Sequence, residues 1–277
     1  MRAGTLFRNE TLKLRKRPAM LWTLGMATFV SFMIHWDEFR SARQSPERSF
    51  ALPEAWADMF GDQASVGLIF GTIALLFLVS SEFSWRTARQ NVIDGLSKSE
   101  WFVGKTQLLL ILPPLFLGIY LTLGGILALL STDVAAATGP LFGFAQLKAI
   151  GGLLLAFLGS ATLALAISFA VRSVGGAIAI WFFYIAVGEN LLAGMLSQLG
   201  EWIRPALRFL PWNAMQSLVE PYYQYDPAAF ERAVQAAQQA ERAIPELPPT
   251  GEYVIAVLAW TAFLLTVSYF GFVRRDL

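Results

Sequence analysis

The chain has 277 residues, of which 56% are hydrophobic and 15% charged, and its formal net charge is only +1. Its apolar residues form blocks long enough to cross a bilayer, which takes about 20 residues of helix, so the composition indicates an integral membrane protein. The chain has no cysteine and one histidine, His35, which excludes a disulfide framework and argues against a metal centre, a secreted enzyme or a redox protein.

The chain begins with a basic segment, residues 1–18, that precedes the first apolar run. A helix over residues 5–17 would meet anionic head groups with its basic residues, and Pro18 would separate it from the membrane. The side chains near its apolar side would be Ala3, Phe7 and Leu14. Two interpretations stay open: an elbow helix in the membrane interface, or a flexible basic signal that only fixes topology.

Six apolar blocks result when the sequence is cut at charged and turn-rich interruptions. The predicted spans are residues 19–36, 65–81, 103–130, 144–171, 174–196 and 253–273. Pro113 and Pro114 predict a kink in the third span, because proline removes backbone donors. Only Arg172 and Ser173 separate the fourth and fifth spans, which predicts a tight hairpin. The sequence therefore predicts an all-α integral membrane protein, with one domain over residues 1–277.

Lysine and arginine are distributed unevenly between the two sides that these spans define. With the N-terminus inside, the inner side holds thirteen basic and five acidic residues, a net charge of +8. The outer side holds eight basic and fourteen acidic residues, a net charge of −6. The positive-inside rule then predicts that both termini are cytoplasmic. Topology thus explains the basic surface, and no nucleic-acid partner is expected.

The segment between the second and third spans, residues 82–102, is polar and could form a helix. A helix over residues 84–94, ended by Gly95, would present an amphipathic surface to a partner. Its polar contacts would be Arg86, Arg89, Gln90 and Asp94, and its apolar contacts Trp85, Val92 and Ile93. The alternative is an ordinary solvated connector.

Three residues within the predicted spans are candidates for specific roles. Gly67 and Gly71 in the second span permit close approach of another helix, which makes them candidates for packing between two subunits, although such pairs are common in membrane helices. Glu189 is the only acid deep in a span. Because a carboxylate in lipid is costly, Glu189 is a candidate for a substrate pathway. Alternatively it lies near the outer surface, roughly 23 Å along the helix from the preceding turn.

Catalytic motifs are missing from the sequence. It contains no Gly-x-x-x-x-Gly-Lys-Ser/Thr loop, and hence no Walker-type phosphate cradle for hydrolysing ATP. It also offers no set of paired carboxylates, histidines or cysteines for general acid–base catalysis. We therefore expect a chain that is not an enzyme and that binds no metal.

Four short motifs lie before, between and after the predicted spans. They are Glu10-x-x-Lys13, Glu82-Phe-x-x-x-Thr87 after the second span, Lys105 at the start of the third, and a terminal Phe-x-Arg-Arg-Asp276. With six spans, this arrangement resembles the permease subunits of type-2 ATP-binding cassette (ABC) exporters. Arg86 stands where that family often has glycine before the threonine.

The resemblance implies a site and partners. Residues 1–18 would be an elbow helix, and residues 82–102 would hold the coupling helix, which sits in a groove of an ATPase subunit and transmits its closure to the spans. The coupling residues would be Glu82, Trp85, Arg86, Thr87, Arg89, Gln90 and Asp94. Residues 197–252 would be a large external loop with short helices, in which residues 202–212 could be re-entrant or could belong to an interfacial aromatic belt.

The resemblance also implies a bacterial cytoplasmic (inner) membrane location and a second permease subunit, identical or related. No cofactor would be bound by this chain, since ATP and magnesium would lie on the partner ABC ATPase. Apolar and aromatic walls from the first, second and fifth spans would suit an amphipathic substrate such as a lipid, drug or peptide. Two other classes stay open: a secondary transporter or channel, and a membrane anchor that recruits an ATPase without transport.

Overall fold

A computed structural model describes residues 3–45, 49–61, 64–133 and 140–274, and all the regular structure in these ranges is helical. The α-helices are α1 (Ala3–Lys16), α2 (Pro18–Gln44), α3 (Ala55–Met59), α4 (Ser65–Ser84), α5 (Thr87–Ile93), α6 (Lys98–Thr106), α7 (Leu112–Ser131), α8 (Phe144–Val171), α9 (Val174–Phe183), α10 (Glu189–Ser197), α11 (Arg204–Leu207), α12 (Pro211–Val219), α13 (Pro227–Gln239) and α14 (Thr250–Arg274).

Six helical segments of the described chain are long and apolar enough to cross a membrane, which confirms the predicted number. They are α2, α4, Lys98–Ser131, α8, Val174–Ser197 and α14. The fourth has the predicted bounds, Phe144–Val171. The first extends to Gln44, beyond the predicted end at Trp36, because residues 37–44 are polar but contain neither glycine nor proline to end a helix.

The third span is interrupted where the proline pair predicts a kink. Residues Gln107–Leu110 form a 3₁₀ turn between α6 and α7. Pro113 has no N–H to offer the carbonyl of Leu109, and its ring crowds that carbonyl, so the preceding turn tightens. The helix is thus interrupted just before the prolines, where the kink is predicted.

Helices α4 and α8 lie at the centre of the bundle. Most of the apolar part of each is buried, 67% for α4 and 61% for α8, compared with 17% for α14. Helices α2 and α7 pack on α4, α14 packs on α8, and α9 contacts both central helices. The hydroxyls of Thr72 and Ser160 join α4 to α8 at 3.1 Å. The first and fifth spans thus flank the second.

Short helices cover the end of the bundle opposite the termini. Helix α12 packs against α8 and α14 and buries an apolar stripe. The candidate re-entrant residues, 202–212, include part of a 3₁₀ turn, α11 and the first two residues of α12. Helix α13 begins with a side-chain cap, since Asp226 Oδ1 accepts from the Ala228 N–H at 3.0 Å.

The first and last helices both contact α6 at the other end. Helix α1 contacts α6, and Lys98 Nζ donates to the carbonyl of Val273 at 3.2 Å. We call this the basic end: α1, α5, the start of α6, the turn at Arg172 and the end of α14. Arg275 and Asp276 of the terminal motif lie outside the described residues.

Helix α1 ends before Pro18, as predicted, but a different face of it is buried. Leu6, Glu10 and Leu14 pack inward, whereas Phe7, expected on the apolar face, is 42% exposed. The reason is a polar contact: Glu10 reaches a buried lysine on α6 and determines which side of α1 faces the protein.

Candidate functional site

A buried lysine joins three helices at the basic end. Lys105, on α6, is 1% exposed, and its Nζ lies 2.7 Å from Glu10 Oε2 on α1 and 2.7 Å from Glu82 Oε1 on α4. Removing a charge from water costs several kcal/mol unless it is paired with good geometry. The carboxylates of Glu10 and Glu82 together provide this pairing for the Lys105 ammonium group.

Two further cations surround the same carboxylates. Lys13 Nζ lies 2.9 Å from Glu10 Oε1 and 3.3 Å from Glu82 Oε1. Arg17 Nη2 lies 2.8 Å from Glu82 Oε1. We call Glu10, Lys13, Arg17, Glu82 and Lys105 the ion network. It ties the segment before the first span to the end of the second and to the start of the third.

Lys13 is placed in the ion network so that it stays charged. Burial disfavours the ammonium of Lys13, but the carboxylates of Glu82 and Glu10 outweigh this effect and raise its pKa. Lys13 therefore remains protonated at neutral pH. Arg17 also donates from Nη1 to the carbonyl of Leu78 at 2.7 Å, which holds its guanidinium group against α4.

Four of the five network residues belong to motifs in the sequence, but their contact is not predicted there. Glu10 and Lys105 are 95 residues apart in the chain. Arg17 belongs to none of these motifs and was missed as a site residue. The one signal for Arg17 is its place directly before Pro18, which starts the first span and fixes the residue at the end of the bundle.

An exposed loop lies directly beyond the ion network. Helix α4 ends at Ser84, Trp85 and Arg86 form a turn, and α5 begins at Thr87. The helix predicted over residues 84–94 is thus broken near its start, because Arg86 adopts a left-handed backbone with φ 57°. Residues with a side chain rarely adopt this conformation, and glycine adopts it readily.

The predicted coupling residues lie in two different environments. Six of them are exposed and form what we call the loop surface: Trp85, Arg86, Thr87, Arg89, Gln90 and Asp94. Trp85 is the most prominent apolar side chain of this set, at 68% exposed. The seventh, Glu82, is 1% exposed and is held in the ion network. Glu82 therefore supports the loop from within and offers no surface to a partner, and its role in coupling stays a prediction.

Local hydrogen bonds fix the loop surface to the network beneath it. Thr87 Oγ1 donates to the carbonyl of Glu82 at 3.2 Å. Gly95, with φ 104°, ends α5 and donates to the Val92 carbonyl at 3.1 Å. Ser97 then begins α6 with a reciprocal capping box. A partner that moves this short loop therefore also moves the helix ends that carry the ion network.

Glu189 is buried in the half of the fifth span that lies farther from the basic end, where it caps another helix. Its carboxylate accepts from the N–H groups of Trp212, at 2.8 Å, and Asn213, at 2.6 Å, and from the Tyr184 hydroxyl. A carboxylate is favoured at the start of a helix, here α12, because the first N–H groups have no partner in the helix. A π-helical turn, Tyr184–Gly188, aligns Tyr184 with Glu189. Glu189 thus links the fifth span to α12, and its role in a pathway stays a prediction.

Replacing Glu189 by alanine should lower the free energy of unfolding by about 2–4 kcal/mol, because buried N–H donors would lose their acceptor. Denaturant unfolding in mixed micelles would measure the effect. The matched control is Glu201→Ala, whose side chain is 85% exposed and pairs only with the exposed Arg204. Equal stability of the two variants would contradict the capping role.

Gly67 and Gly71 lie inside the subunit. A Cβ on Gly67 would come within 3.1 Å of the Phe157 ring, and one on Gly71 within 3.4 Å of Phe116. These rings belong to α8 and α7 of the same chain. The close approach that the two glycines permit is therefore between helices of one subunit, which corrects their assignment to packing between subunits.

Replacing Gly71 by leucine should destabilise the subunit by about 1–3 kcal/mol through overpacking against Phe116. Gly118→Leu is the matched control, because a Cβ at Gly118 meets no atom within 4 Å. Thermal unfolding and the mass of the purified particle would both be measured. A change in mass with no change in stability would restore the assignment to a subunit interface.

Within the ranges that the structure describes, no group of three or more histidine, aspartate or glutamate side chains is placed to hold a metal ion.

A family model described as "ABC-2 family transporter protein" matches residues 6–188, well over half of the chain. The match includes the ion network and the loop surface. No curated protein matches the chain.

Proposed function

Because this chain belongs to the ABC-2 transporter family, we propose that it is the permease subunit of an exporter driven by separate ATPase subunits. It is a multi-pass membrane protein, and the family is a non-catalytic membrane component of ABC transporters. Family membership alone does not give the direction of transport, the contacts with the ATPase or the pathway, and we propose each of these below.

One observation carries this proposal: an exposed loop is fixed from within to three helices. An ATPase subunit would bind the loop surface, with Trp85 in an apolar cleft and the arginines at its rim. Closure of the ATPase on ATP and magnesium would then displace α5. Because Glu82 and Lys105 flank this loop and pair with each other at 2.7 Å, the second and third spans would move as one unit with α1.

The proposed orientation places the basic end in the cytoplasm of a bacterial cell, with the spans in its cytoplasmic membrane. Helix α1 would lie along the membrane as an elbow. Its exposed Phe7 and Leu12 would contact lipid, while Leu6 and Leu14 pack on the protein.

The pathway would form between two permease subunits, identical or related. The first and fifth spans expose large apolar side chains, including Trp22 at 75% and Phe183 at 58%. Between these spans, α4 presents the half-buried Ile69, Ile73 and Phe77. Such apolar walls would suit an amphipathic lipid, drug or peptide, with Glu189 near the outer end of the path.

ATP turnover in proteoliposomes would test this function. The chain would be reconstituted with its cognate ABC ATPase, and hydrolysis would be measured with and without a fluorescent lipid or amphipathic drug. Substrate-stimulated turnover, with accumulation of the compound on the side away from the ATPase, supports the exporter. A stable complex whose turnover no compound changes would favour a membrane anchor. Transport without any ATPase would favour a secondary transporter or channel.

A further inference from the structure

An apolar crevice lies between α8 and α14, toward the basic end. Its volume is about 330 Å³, and among the side chains that line it only that of Ser268 is polar. Small residues on both helices leave this space: Ala166 and Ala170 on α8, and Gly271 on α14. A Cβ on Gly271 would meet no atom within 4 Å, so the two helices do not close on each other at this position.

The crevice matches the depth of one membrane leaflet. Its lining on α14 runs from Leu264 to Phe272, which is about 12 Å at the rise of an α-helix. One leaflet contributes half of a hydrocarbon core that is about 30 Å thick. Arg274, which ends α14, lies just beyond Phe272. The crevice therefore begins beside the basic end and reaches toward the middle of the membrane.

A lipid chain is the occupant that these walls favour. An empty space leaves the atoms around it without contacts on one side, and apolar walls with a single hydroxyl offer water few hydrogen bonds. The lining belongs to the fourth and sixth spans, whereas the proposed pathway uses the first, second and fifth. Val267, which lines the crevice, is 53% exposed, so the opening faces outward from the bundle.

The charge at the mouth of the crevice favours an anionic head group. Arg274 is exposed and lies three residues after Gly271, and residues at this spacing share one face of a helix. Its Cζ lies 5.6 Å from the centre of the Phe270 ring, a contact that positions the guanidinium group. By sequence, the side with both termini holds thirteen basic and five acidic residues. A phosphate here would therefore meet a guanidinium donor in a positive field.

We propose that this crevice binds an anionic phospholipid, with one acyl chain between α8 and α14 and the phosphate on Arg274. The inference requires a chain that spans a membrane, but neither an ATPase nor a direction of transport, so it goes beyond the proposed function. The lipid would hold the end of α14 against α8. Because Lys98 on α6 donates to the Val273 carbonyl, the same lipid would also steady the helix that follows the loop surface.

A second crevice on α14 allows a comparison within the same molecule. It lies toward the opposite end, has a volume of about 460 Å³, and its lining includes Phe209, Ala259 and Trp260. The arginine next to it, Arg208, pairs with Glu252 at 2.9 Å, which balances its charge. We therefore expect the second crevice to accept lipid chains without a preference for the head group.

Lipid titration of the full-length chain tests the inference. The chain would be freed of lipid in a mild detergent and titrated with phosphatidylglycerol or phosphatidylethanolamine of the same acyl chains, and bound lipid would be counted by native mass spectrometry. The natural chain should bind one phosphatidylglycerol about fivefold more tightly than phosphatidylethanolamine, the effect of one basic residue on an anionic lipid. Arg274→Gln should lose this preference and still bind both lipids, because its crevice is unchanged.

Variants that occupy the crevice should lose the lipid. Gly271→Leu should weaken phosphatidylglycerol binding at least about tenfold, the effect of exposing two methylene groups of the acyl chain. Its unfolding temperature without lipid should be equal or higher, since leucine favours a helix more than glycine does. Ala170→Leu approaches from α8 and should give the same loss of binding. Ala259→Leu, which adds the same side chain to the second crevice, is the matched control and should keep the natural affinity.

The outcomes distinguish this inference from its alternatives. Natural affinity in both Gly271→Leu and Ala170→Leu would overturn it, as would equal binding of the two lipids by the natural chain. Full competition by glycerol phosphate would show a phosphate site that uses no acyl chain. If the crevice variants halve the mass of the lipid-free particle, the crevice is an interface between two copies, and the inference is wrong. The ATPase takes part in none of these measurements, so the exporter assignment stands or fails separately.

Discussion

Replacing Lys105 by methionine should lower the free energy of unfolding by about 3–5 kcal/mol, because two buried carboxylates would lose their shared cation. We also expect ATP hydrolysis to continue without transport in the reconstituted complex. The substitution removes the charge that joins α6 to α1 and α4. When the ATPase displaces the loop, these three helices would then no longer move as one unit.

Controls separate loss of the ion network from loss of any lysine. Lys148→Met changes an exposed lysine at the other end of the bundle and should change neither stability nor transport. In the double variant Glu82→Gln/Lys105→Met, one carboxylate is neutralised with the lysine, so its loss of stability should be smaller than the sum of the single effects. Additive losses would contradict direct pairing of Glu82 with Lys105.

The variant Arg86→Glu/Arg89→Glu should lose its ATPase partner during purification. Both side chains are exposed on the loop surface, so reversing their charge should leave the fold unchanged and repel an acidic partner surface. Such like-charge juxtaposition at an interface costs several kcal/mol, which corresponds to a loss of affinity of about a hundredfold or more. Co-purification of the tagged chain with the cognate ATPase in a mild detergent would measure it.

The control for this experiment is Arg232→Glu/Arg242→Glu, which reverses two exposed arginines at the opposite end. It carries the same change in net charge and should retain a stoichiometric ATPase. Retention of the ATPase by both variants would show that the loop surface is not the docking site, whatever the role of the spans.

The spans could be predicted from sequence because lipid imposes a simple requirement of length and apolarity. The fourth span has the predicted bounds, and the kink at Pro113 follows from the missing N–H of proline. The cap at Asp226 is also local. Each of these features depends on residues within a few positions of one another in the chain.

The site could be predicted only in part because its contacts are distant in sequence. Motifs mark Glu10, Glu82 and Lys105, but no local rule shows that α1 rotates to bring Glu10 under the loop. The left-handed backbone of Arg86 likewise depends on tertiary structure, since the local sequence favours a helix over residues 84–94.

Patterns that suit two roles explain why the sequence alone does not assign Gly67, Gly71 and Glu189. Spaced small residues such as Gly67 and Gly71 allow close packing inside a subunit as well as between subunits, and only the positions of Phe157 and Phe116 decide which applies. A buried acid such as Glu189 suits a pathway or a helix cap. Its partners at residues 212 and 213 belong to a helix that lies beyond the end of the span.

The mass of the intact complex in nanodiscs is the most direct test of the central claim, that this chain is a permease subunit driven by a separate ATPase. The chain would be expressed with its cognate ABC ATPase, purified through a tag on the permease and weighed by native mass spectrometry. We predict a particle with two permease and two ATPase subunits. A particle that contains the permease alone, under conditions in which the natural chain remains folded, would contradict the account.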